Sequence, residues 1–287
     1  MARKVTPAQF RNMVRQAEQK QRNAINKYNR EVKKVQNEIN SYNRQVANYN
    51  NRVRTHNRRL QSEMNRLRRS RATPRYVTIQ SSTYSLQGAF DDIDRSIDSE
   101  SWTAEGLHLA DLAEGETANS AAVANALMDA DEASTDSDLR TTALSDELSR
   151  ISGDLDDRWR GALYALDPAN PDAARHFCTS AREVLIMMLD AGASDAEVLA
   201  SNPNCQKVGS GQPTRREKIS YILSKKGIEA TSLSTFVDTD IDDVLSLFRV
   251  FNDGTHGTAG KYSIPQLGAI KERAEGAVKF IHRVISH

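Results

Sequence analysis

Two side chains suited to phosphate chemistry lie near the C-terminal end of the sequence. Arg249 and His256 are separated by six residues, and Asn252 lies between them at the start of a glycine-rich stretch. A histidine can take the proton from a 2′-hydroxyl, and an arginine can stabilise the charge that develops on a phosphorane. Arg249, His256 and Asn252 are therefore the candidate catalytic residues for cleavage of an RNA phosphodiester.

The same spacing also suits a purely structural interpretation. Arg249 could pair with Asp242 or Asp253 at the protein surface, and His256 would then be an exposed loop residue. The residues alone do not choose between these two interpretations, and both stay open at this point.

The aspartates upstream of Arg249 resemble the start of an EF-hand loop; they are Asp238, Asp240 and Asp242. The sixth position of such a loop requires glycine but holds Asp243, and the twelfth requires glutamate but holds Arg249. We therefore reject calcium. We interpret these acids as the first turn of a helix capped by Thr239 or Asp240, where the helix dipole favours negative charge.

No motif predicts a metal or a cofactor, and we expect neither. Cys178 and Cys205 form no CxxC pair, and the glycine-rich stretch lacks the terminal Gly-Lys-Ser/Thr of a phosphate-binding loop. No apolar run approaches the roughly 20 residues that a bilayer span needs. Met1 leads into polar, basic sequence rather than a secretory signal. We expect a cytoplasmic protein without membrane association.

The elements that must position Arg249 and His256 are predicted to be helices. One ends at Asp167-Pro168, and the next is opened by Asn170 as the cap with Pro171 at the first helical position. Others run from about Thr214 to Gly227, from residue 239 or 240 to 251, and over about 264–285. Five or six antiparallel helices make an α-helical bundle over residues 154–287.

The N-terminal part of the sequence is a strongly basic helix. Residues 1–75 contain 20 Lys and Arg against 4 Asp and Glu, a balance of +16, so the remainder of the chain carries −15. No glycine or proline interrupts the sequence between Pro7 and Pro74. Apolar residues alternate by four and three from Tyr28 to Val53, which predicts a coiled coil. We expect a homo-oligomer through residues 8–70, with strand number and orientation open.

The charge on this arm, residues 1–74, has two interpretations. It can bind the phosphates of RNA, or of DNA, in a salt-dependent manner, with Arg66, Arg68 and Arg69 as the candidate RNA-binding residues. Alternatively it is a solvated coiled-coil surface that also docks the acidic half of the same chain. Nothing in the arm predicts reading of bases.

Residues 75–153 differ abruptly in composition from the arm. Residues 75–84 alternate and are rich in β-formers, which predicts one short strand. The rest is acidic and rich in Ala and Ser, so we expect a loosely packed, partly helical connector. The predicted fold is mainly α: a long N-terminal coiled-coil helix followed by an α-helical bundle, with at most one short strand segment between.

The C-terminal region resembles the HEPN superfamily. The resemblance covers about residues 155–286 and lies in Arg249-Val-Phe-Asn-Asp-Gly-Thr-His256 before the last helix, Ser180-Ala-Arg182 in an early helix and Pro213-Thr-Arg215-Arg216. It is most similar to the predicted nuclease domains associated with prokaryotic PIWI-type proteins. It implies a metal-independent ribonuclease with Arg249 and His256 as the catalytic pair at a dimer cleft. Arg182, Arg215 and Arg216 are the candidate RNA-binding residues of this domain.

The resemblance also leaves an alternative function. The residue after the motif arginine is often polar in HEPN enzymes, whereas here it is Val250. The leading hypothesis is a ribonuclease of a prokaryotic defence or toxin system, with the basic coiled coil used for oligomerisation and RNA binding. The alternative is a non-catalytic coiled-coil scaffold or nucleic-acid-binding subunit that joins a partner protein of a defence operon. The RNA target, the cleavage position and the trigger stay open.

Overall fold

The computed structural model describes residues 6–70, 76–97, 102–128, 137–167, 169–252 and 262–286, without the side chains of 45–54, 56, 137, 138 and 252. The chain divides into two compact units, Met1–Thr55 and His56–His287. Within the described ranges the regular structure is helical, apart from a single antiparallel bridge between Lys207 and Pro213. The prediction of a mainly α fold is confirmed.

The described helices are, in chain order, α1 (Pro7–Arg69), α2 (Val77–Ile97), α3 (Ala104–Met128), α4 (Ser137–Arg140), α5 (Ser145–Ile151), α6 (Gly153–Ala165), α7 (Ala173–Gly192), α8 (Asp195–Ser201), α9 (Arg215–Lys225), α10 (Thr231–Asn252) and α11 (Ile264–Ile285). Over these residues, none of the helices combines the length and the apolar composition needed to cross a bilayer.

The first unit consists of the N-terminal part of α1, and the predicted uninterrupted helix is confirmed. Its apolar seam faces solvent in the single chain: Tyr28 is 67% exposed and Ile39 is 47% exposed. The other exposed apolar residues of the seam region are Phe10, Met13, Val14, Ile25, Val32, Val35 and Tyr42. The seam residues Val46, Tyr49 and Val53 have side chains outside the described part of the chain. A partner for this seam stays a prediction.

The second unit is built around α10 and α11. Helix α10 packs against α2, α3, α7, α9 and α11, while α11 also packs against α3 and α7. Aromatic rings fill the space between helices, since Trp159 meets Phe177 edge-on at 5.6 Å and Phe236 meets Phe280 at 5.8 Å between ring centroids. These contacts place α10 and α11, the helices on either side of residues 253–261, in the interior of the unit.

The predicted strand over residues 75–84 is wrong. Residues 77–97 form helix α2, whose buried residues recur at intervals of three and four: Ile79, Thr83, Leu86, Ala89, Ile93 and Ser96. The β-forming residues at its start are outweighed by the burial of this stripe against α10 and α3.

The loose packing expected of the acidic stretch is also wrong for α3. More than half of this helix is buried, on several sides, because its small side chains let neighbouring helices approach closely. Gly276 of α11 illustrates this approach, since a Cβ atom there would lie 2.3 Å from Asn119 Nδ2. The alanine-rich stripe of α3 therefore indicates close packing between helices and not exposure to solvent. The division of the chain at residues 74 and 153 stays a prediction.

Helix α10 begins eight residues earlier than predicted. It starts at Thr231, and Thr239 lies inside it with its hydroxyl donating to the Thr235 carbonyl, so neither Thr239 nor Asp240 is a cap. The interpretation of the aspartates as a first turn is therefore wrong. Asp240 is fully buried in mid-helix, which an unpaired carboxylate would not tolerate.

The other C-terminal helices follow the prediction more closely. Thr214 caps α9 by accepting from Glu217 N, and α11 spans Ile264–Ile285 behind a capping box formed by Ser263. Asn170 differs, because α7 begins at Ala173 with Asp172 as the cap residue. Asn170 instead accepts a hydrogen bond from Asp172 N in the preceding turn.

The partner of Asp240 is the guanidinium of Arg273 on α11, which is only 1% exposed. Arg273 Nη2 contacts the Asp240 carboxylate, Nε donates to Asp243 Oδ2 at 3.0 Å, and Nη1 donates to Glu116 Oε2 at 2.9 Å. Three carboxylates from α3 and α10 thus converge on one arginine of α11. We call these four residues the Arg273 cluster.

Hydroxyl groups extend the cluster to α2. Ser82 and Ser120 each donate to the Asp243 carboxylate at 2.7 Å, and Thr83 exchanges a hydrogen bond with Ser120 at 2.9 Å. Because each member is hydrogen-bonded and at least partly buried, the four helices α2, α3, α10 and α11 are fixed in one arrangement.

We predict that Arg273→Met lowers the free energy of unfolding by about 3 to 5 kcal/mol, because it leaves buried carboxylates without their counter-charge. Urea denaturation followed by circular dichroism measures this loss. Arg283→Met, which removes an exposed arginine of the same helix, is the matched control and should change stability by less than about 0.5 kcal/mol. Equal stability of the two variants would contradict the role given to Arg273.

Candidate functional site

Arg249 lies in the last turn of α10 with its side chain exposed. The structural alternative, a surface pair with Asp242, does not occur, because Asp242 accepts from Arg215 Nη2 at 2.8 Å instead. Among the described residues, Arg249 has no hydrogen-bond or ion-pair partner; Asp253, the other proposed partner, lies outside them. Its guanidinium is therefore not committed to the bundle.

His256 belongs to residues 253–261, which lie outside the described part of the chain, and Asn252 is the last residue of α10, with its side chain likewise outside. The two ends of this segment meet. The ring of Phe251 contacts the ring of Tyr262 edge-on, with centroids 4.8 Å apart. The segment that contains His256 is thus attached at both ends beside the helical turn of Arg249.

Two of the predicted RNA-binding residues come together in a cleft of about 320 Å³ between α7, α9 and α10. Arg182 of α7 and Arg215 of α9 line it, together with Leu245 of α10. Leu245 and Arg249 are four residues apart on a helix and so lie on the same face. Arg249 is not among the described residues that line the cleft, but it lies one turn beyond Leu245 on that face of α10.

The two arginines in this cleft differ in their availability. The Arg215 guanidinium forms ion pairs with Asp238, at 2.6 Å, and with Asp242. These two aspartates are one turn apart on α10, and they already compensate the charge of Arg215. Arg182 is exposed and has no ion-pair partner among the described residues. Arg215 thus joins α9 to α10, and Arg182 is the cation of the cleft that is left for a ligand.

The remaining predicted RNA-binding residues lie elsewhere. Arg216 donates to Thr235 Oγ1 at 2.9 Å and is not among the residues lining the cleft. Arg66, Arg68 and Arg69 are exposed in the last turns of α1, and Arg66 and Arg69 border a shallow surface depression. They form a separate basic surface.

A second, more polar cavity was missed by the sequence analysis. It has a volume of about 550 Å³ and is lined by charged side chains of both signs, among them Glu116, Lys279 and Arg59. Glu116 lies where the cavity meets the Arg273 cluster. The spacing of Glu116 and Asn119, one helical turn apart, could have indicated a polar site in the sequence. It was not used, because residues 75–153 were expected to form a loosely packed connector.

The Glu116 carboxyl has a raised pKa of about 8, because burial disfavours its charged form and the nearby Asp240 carboxylate repels a second negative charge. The Arg273 guanidinium opposes this shift only in part. Burial also raises the pKa of Asp240, whose Oδ2 atom has no hydrogen-bond partner among the described residues. Over the same part of the chain, no three His, Cys, Asp or Glu side chains are grouped as metal ligands would be.

We predict that stability falls as the pH rises from about 4.5 towards 8. The folded protein keeps a proton on Glu116 in this range, whereas the unfolded chain releases it above about pH 4.5. Glu116→Gln, which keeps an acceptor for Arg273 but cannot ionise, should flatten this decline. Urea denaturation at pH 5, 6.5 and 8 measures it. An unchanged slope in Glu116→Gln would show that Glu116 is not the responsible group.

Comparison with known proteins places the second half of the chain near one family. Residues 148–281 match the model of a family described as predicted pPIWI-associating nuclease. No curated protein and no solved structure matches the chain. The matched region contains α6 to α10 and most of α11, with Arg182, Arg215 and Arg249. The C-terminal part of the chain is therefore similar to predicted nucleases that associate with pPIWI proteins.

Proposed function

We propose that the C-terminal part is a metal-independent ribonuclease of the HEPN type, acting in a prokaryotic defence or toxin system, with Arg249 and His256 as its catalytic pair. The observation that carries the proposal is the exposed Arg249 guanidinium, free of described partners, on the helical turn to which the His256 segment is attached. The match to a predicted nuclease family supports the same conclusion.

The proposed reaction needs one base and one cation. The neutral imidazole of His256 takes the proton of an RNA 2′-hydroxyl, and O2′ attacks the adjacent phosphorus. The guanidinium of Arg249 stabilises the added negative charge of the phosphorane. The bond to O5′ then breaks, and this oxygen takes up a proton. Asn252, the last residue of α10, would orient the same phosphate.

The proposed RNA path begins in the cleft between α7, α9 and α10. Arg182 lines this cleft and would hold a phosphate of the bound strand. Arg215 and Arg216 would contribute less, because both are engaged with α10. Arg66, Arg68 and Arg69 would bind RNA or DNA without reading its sequence.

We also propose that the protein self-associates through residues 8–70, since the described apolar residues of the α1 seam between Phe10 and Tyr42 are exposed. The resemblance to HEPN enzymes further implies an active site that faces its copy at a dimer cleft. A partner protein of a defence operon, of the PIWI type, fits the family that the second half of the chain matches.

The alternative is a non-catalytic scaffold or nucleic-acid-binding subunit of a defence complex. One observation favours it: Val250, next to the motif arginine, packs partly against the apolar core rather than offering a polar group to a substrate. Such a protein would bind nucleic acid and its partner through the arm but leave RNA intact.

We predict that purified protein cleaves RNA in the presence of EDTA and that His256→Ala reduces the rate at least about 100-fold, the usual contribution of a general base. Activity should fall below about pH 6.5, where histidine becomes protonated. Arg249→Lys should not rescue Arg249→Ala, because an ammonium cannot match the planar guanidinium on a phosphate.

His176→Ala is the matched control, since His176 is an exposed histidine of α7 that already contacts Asp172. Its rate should equal that of the unmodified protein. Cleavage by His256→Ala at the normal rate would exclude the proposed site. RNA binding without any cleavage would favour the scaffold.

We predict that the arm gives salt-sensitive binding of RNA and DNA. Phosphate neutralisation releases counterions, so the logarithm of the affinity should fall linearly with the logarithm of the salt concentration. Replacing Arg66, Arg68 and Arg69 by Gln should lower the slope by about 3 if each contacts one phosphate. Fluorescence anisotropy with a labelled oligonucleotide measures it. An unchanged slope would place the contacts elsewhere.

A further inference from the structure

The seam of α1 has an uneven distribution of side-chain size. Between residues 28 and 53 the heptad positions d are occupied by Tyr28, Val35, Tyr42 and Tyr49, and the positions a by Val32, Ile39, Val46 and Val53. Large aromatic residues thus dominate one position and small β-branched residues the other. Further along the helix, Leu60 continues the pattern but is only 4% exposed in the second unit. The seam available to another molecule therefore ends before residue 60.

The flanks of this seam are uneven in charge. Positions e carry only amides: Asn29, Gln36, Asn43 and Asn50. Positions g carry Glu31 and Glu38 in the first half, then Gln45 and Arg52. Most lysines and arginines of the segment lie at the outer positions b, c and f, among them Arg30, Lys33, Lys34 and Arg44. The basic surface therefore does not oppose self-pairing.

We propose that two copies of this chain pair antiparallel through residues 28–53, with the two-fold axis crossing between residues 40 and 41. In an antiparallel pair each position a faces a position d of the other helix. Ile39 then faces Tyr42 of the second copy, Val32 faces Tyr49 and Val53 faces Tyr28. Each tyrosine is matched by a smaller aliphatic residue, and the eight layers are all apolar.

The charges select the same orientation. Antiparallel helices bring positions g together, so Glu31 lies beside Arg52 of the second copy, and Glu38 beside Gln45. Parallel helices would instead pair positions g with positions e, so that each charged residue at g would face an amide. They would also place tyrosine against tyrosine in three layers. Charge pairs beside a coiled-coil seam set the orientation of the partner more than the affinity. The Glu31–Arg52 pairs therefore select the antiparallel orientation.

A shift by one heptad towards the C-terminus is less favourable. It would remove the layer of Tyr28 with Val53 and would place His56 opposite Val32. Its extra apolar layer would need Leu60, which the chain's own second unit already buries. The apolar layers therefore disfavour this shift.

The opposite shift keeps eight apolar layers by pairing Ile25 with Tyr49, but it places Glu38 beside Glu38 of the second copy. This like-charge contact, together with the loss of the Glu31–Arg52 pairs, favours the register centred between residues 40 and 41.

This inference rests on the self-association proposed above and not on the ribonuclease activity. At a rise of 1.5 Å per residue, residues 56 of the two chains would lie about 46 Å apart along the coil.

Spin labels on the full-length chain test the orientation. Asn23→Cys and Ser41→Cys are both exposed, whereas the native Cys178 and Cys205 are buried and should not react, which labelling of the unmodified protein checks. Double electron–electron resonance should give about 52 Å between the labels at position 23 and less than about 25 Å at position 41. About 63 Å or about 42 Å at position 23 would indicate a register shifted by one heptad in either direction and would overturn the proposed one.

A distance of about 20 Å at both positions would show parallel helices, and absence of dipolar coupling at both would show that the arm does not pair; either result overturns the proposal. A charge exchange gives an independent test. Glu31→Arg should raise the dimer dissociation constant about tenfold in sedimentation equilibrium, and adding Arg52→Glu should restore it. Asn37→Arg, on the outer face, is the control and should have no effect.

Discussion

The second unit depends on the burial of one arginine among three carboxylates. Arg273 brings a positive charge into the centre of the helical bundle, and Asp240, Asp243 and Glu116 surround it. Removing such groups from water costs several kcal/mol each, so the cluster is tolerated only in the one geometry that satisfies its hydrogen bonds. The raised pKa of Glu116, about 8, removes one of the negative charges at neutral pH. The cluster thus specifies how α3, α10 and α11 pack.

Helix α10 is fixed from two sides by its four aspartates. Asp240 and Asp243 face inward to Arg273, while Asp238 and Asp242 face Arg215 of α9. Arg249 lies beyond both pairs, where the carboxylates of the helix are already engaged. Among the described residues, no carboxylate pairs with the Arg249 guanidinium at the end of this helix, which is the condition under which an arginine can act on a phosphate rather than on its own protein.

Local signals in the sequence predicted much of this architecture. The range predicted for the last helix, about 264–285, agrees with α11, and the absence of breakers predicted α1. The start of α10 was missed because the aspartates have the composition of a helix cap, and only Arg273, about thirty residues further on, explains their burial. Helix α2 was not predicted, because its first residues are of types that are common in strands. In the folded chain the packing of these residues on α10 outweighs that local preference. The pairing of Arg215 with Asp238 and Asp242 likewise could not be read from sequence spacing.

The ends of the RNA products test the central claim most directly. Attack by the 2′-hydroxyl must leave a 2′,3′-cyclic phosphate on the upstream fragment and a 5′-hydroxyl on the downstream one, because O2′ replaces O5′ on the phosphorus. Mass spectrometry of a defined oligoribonucleotide, cleaved in EDTA, identifies both ends. We predict these two ends, and no cleavage where the nucleotide at the cut site is 2′-deoxy. Products with a 3′-hydroxyl and a 5′-phosphate would contradict the account, since water and not the 2′-hydroxyl would then be the nucleophile.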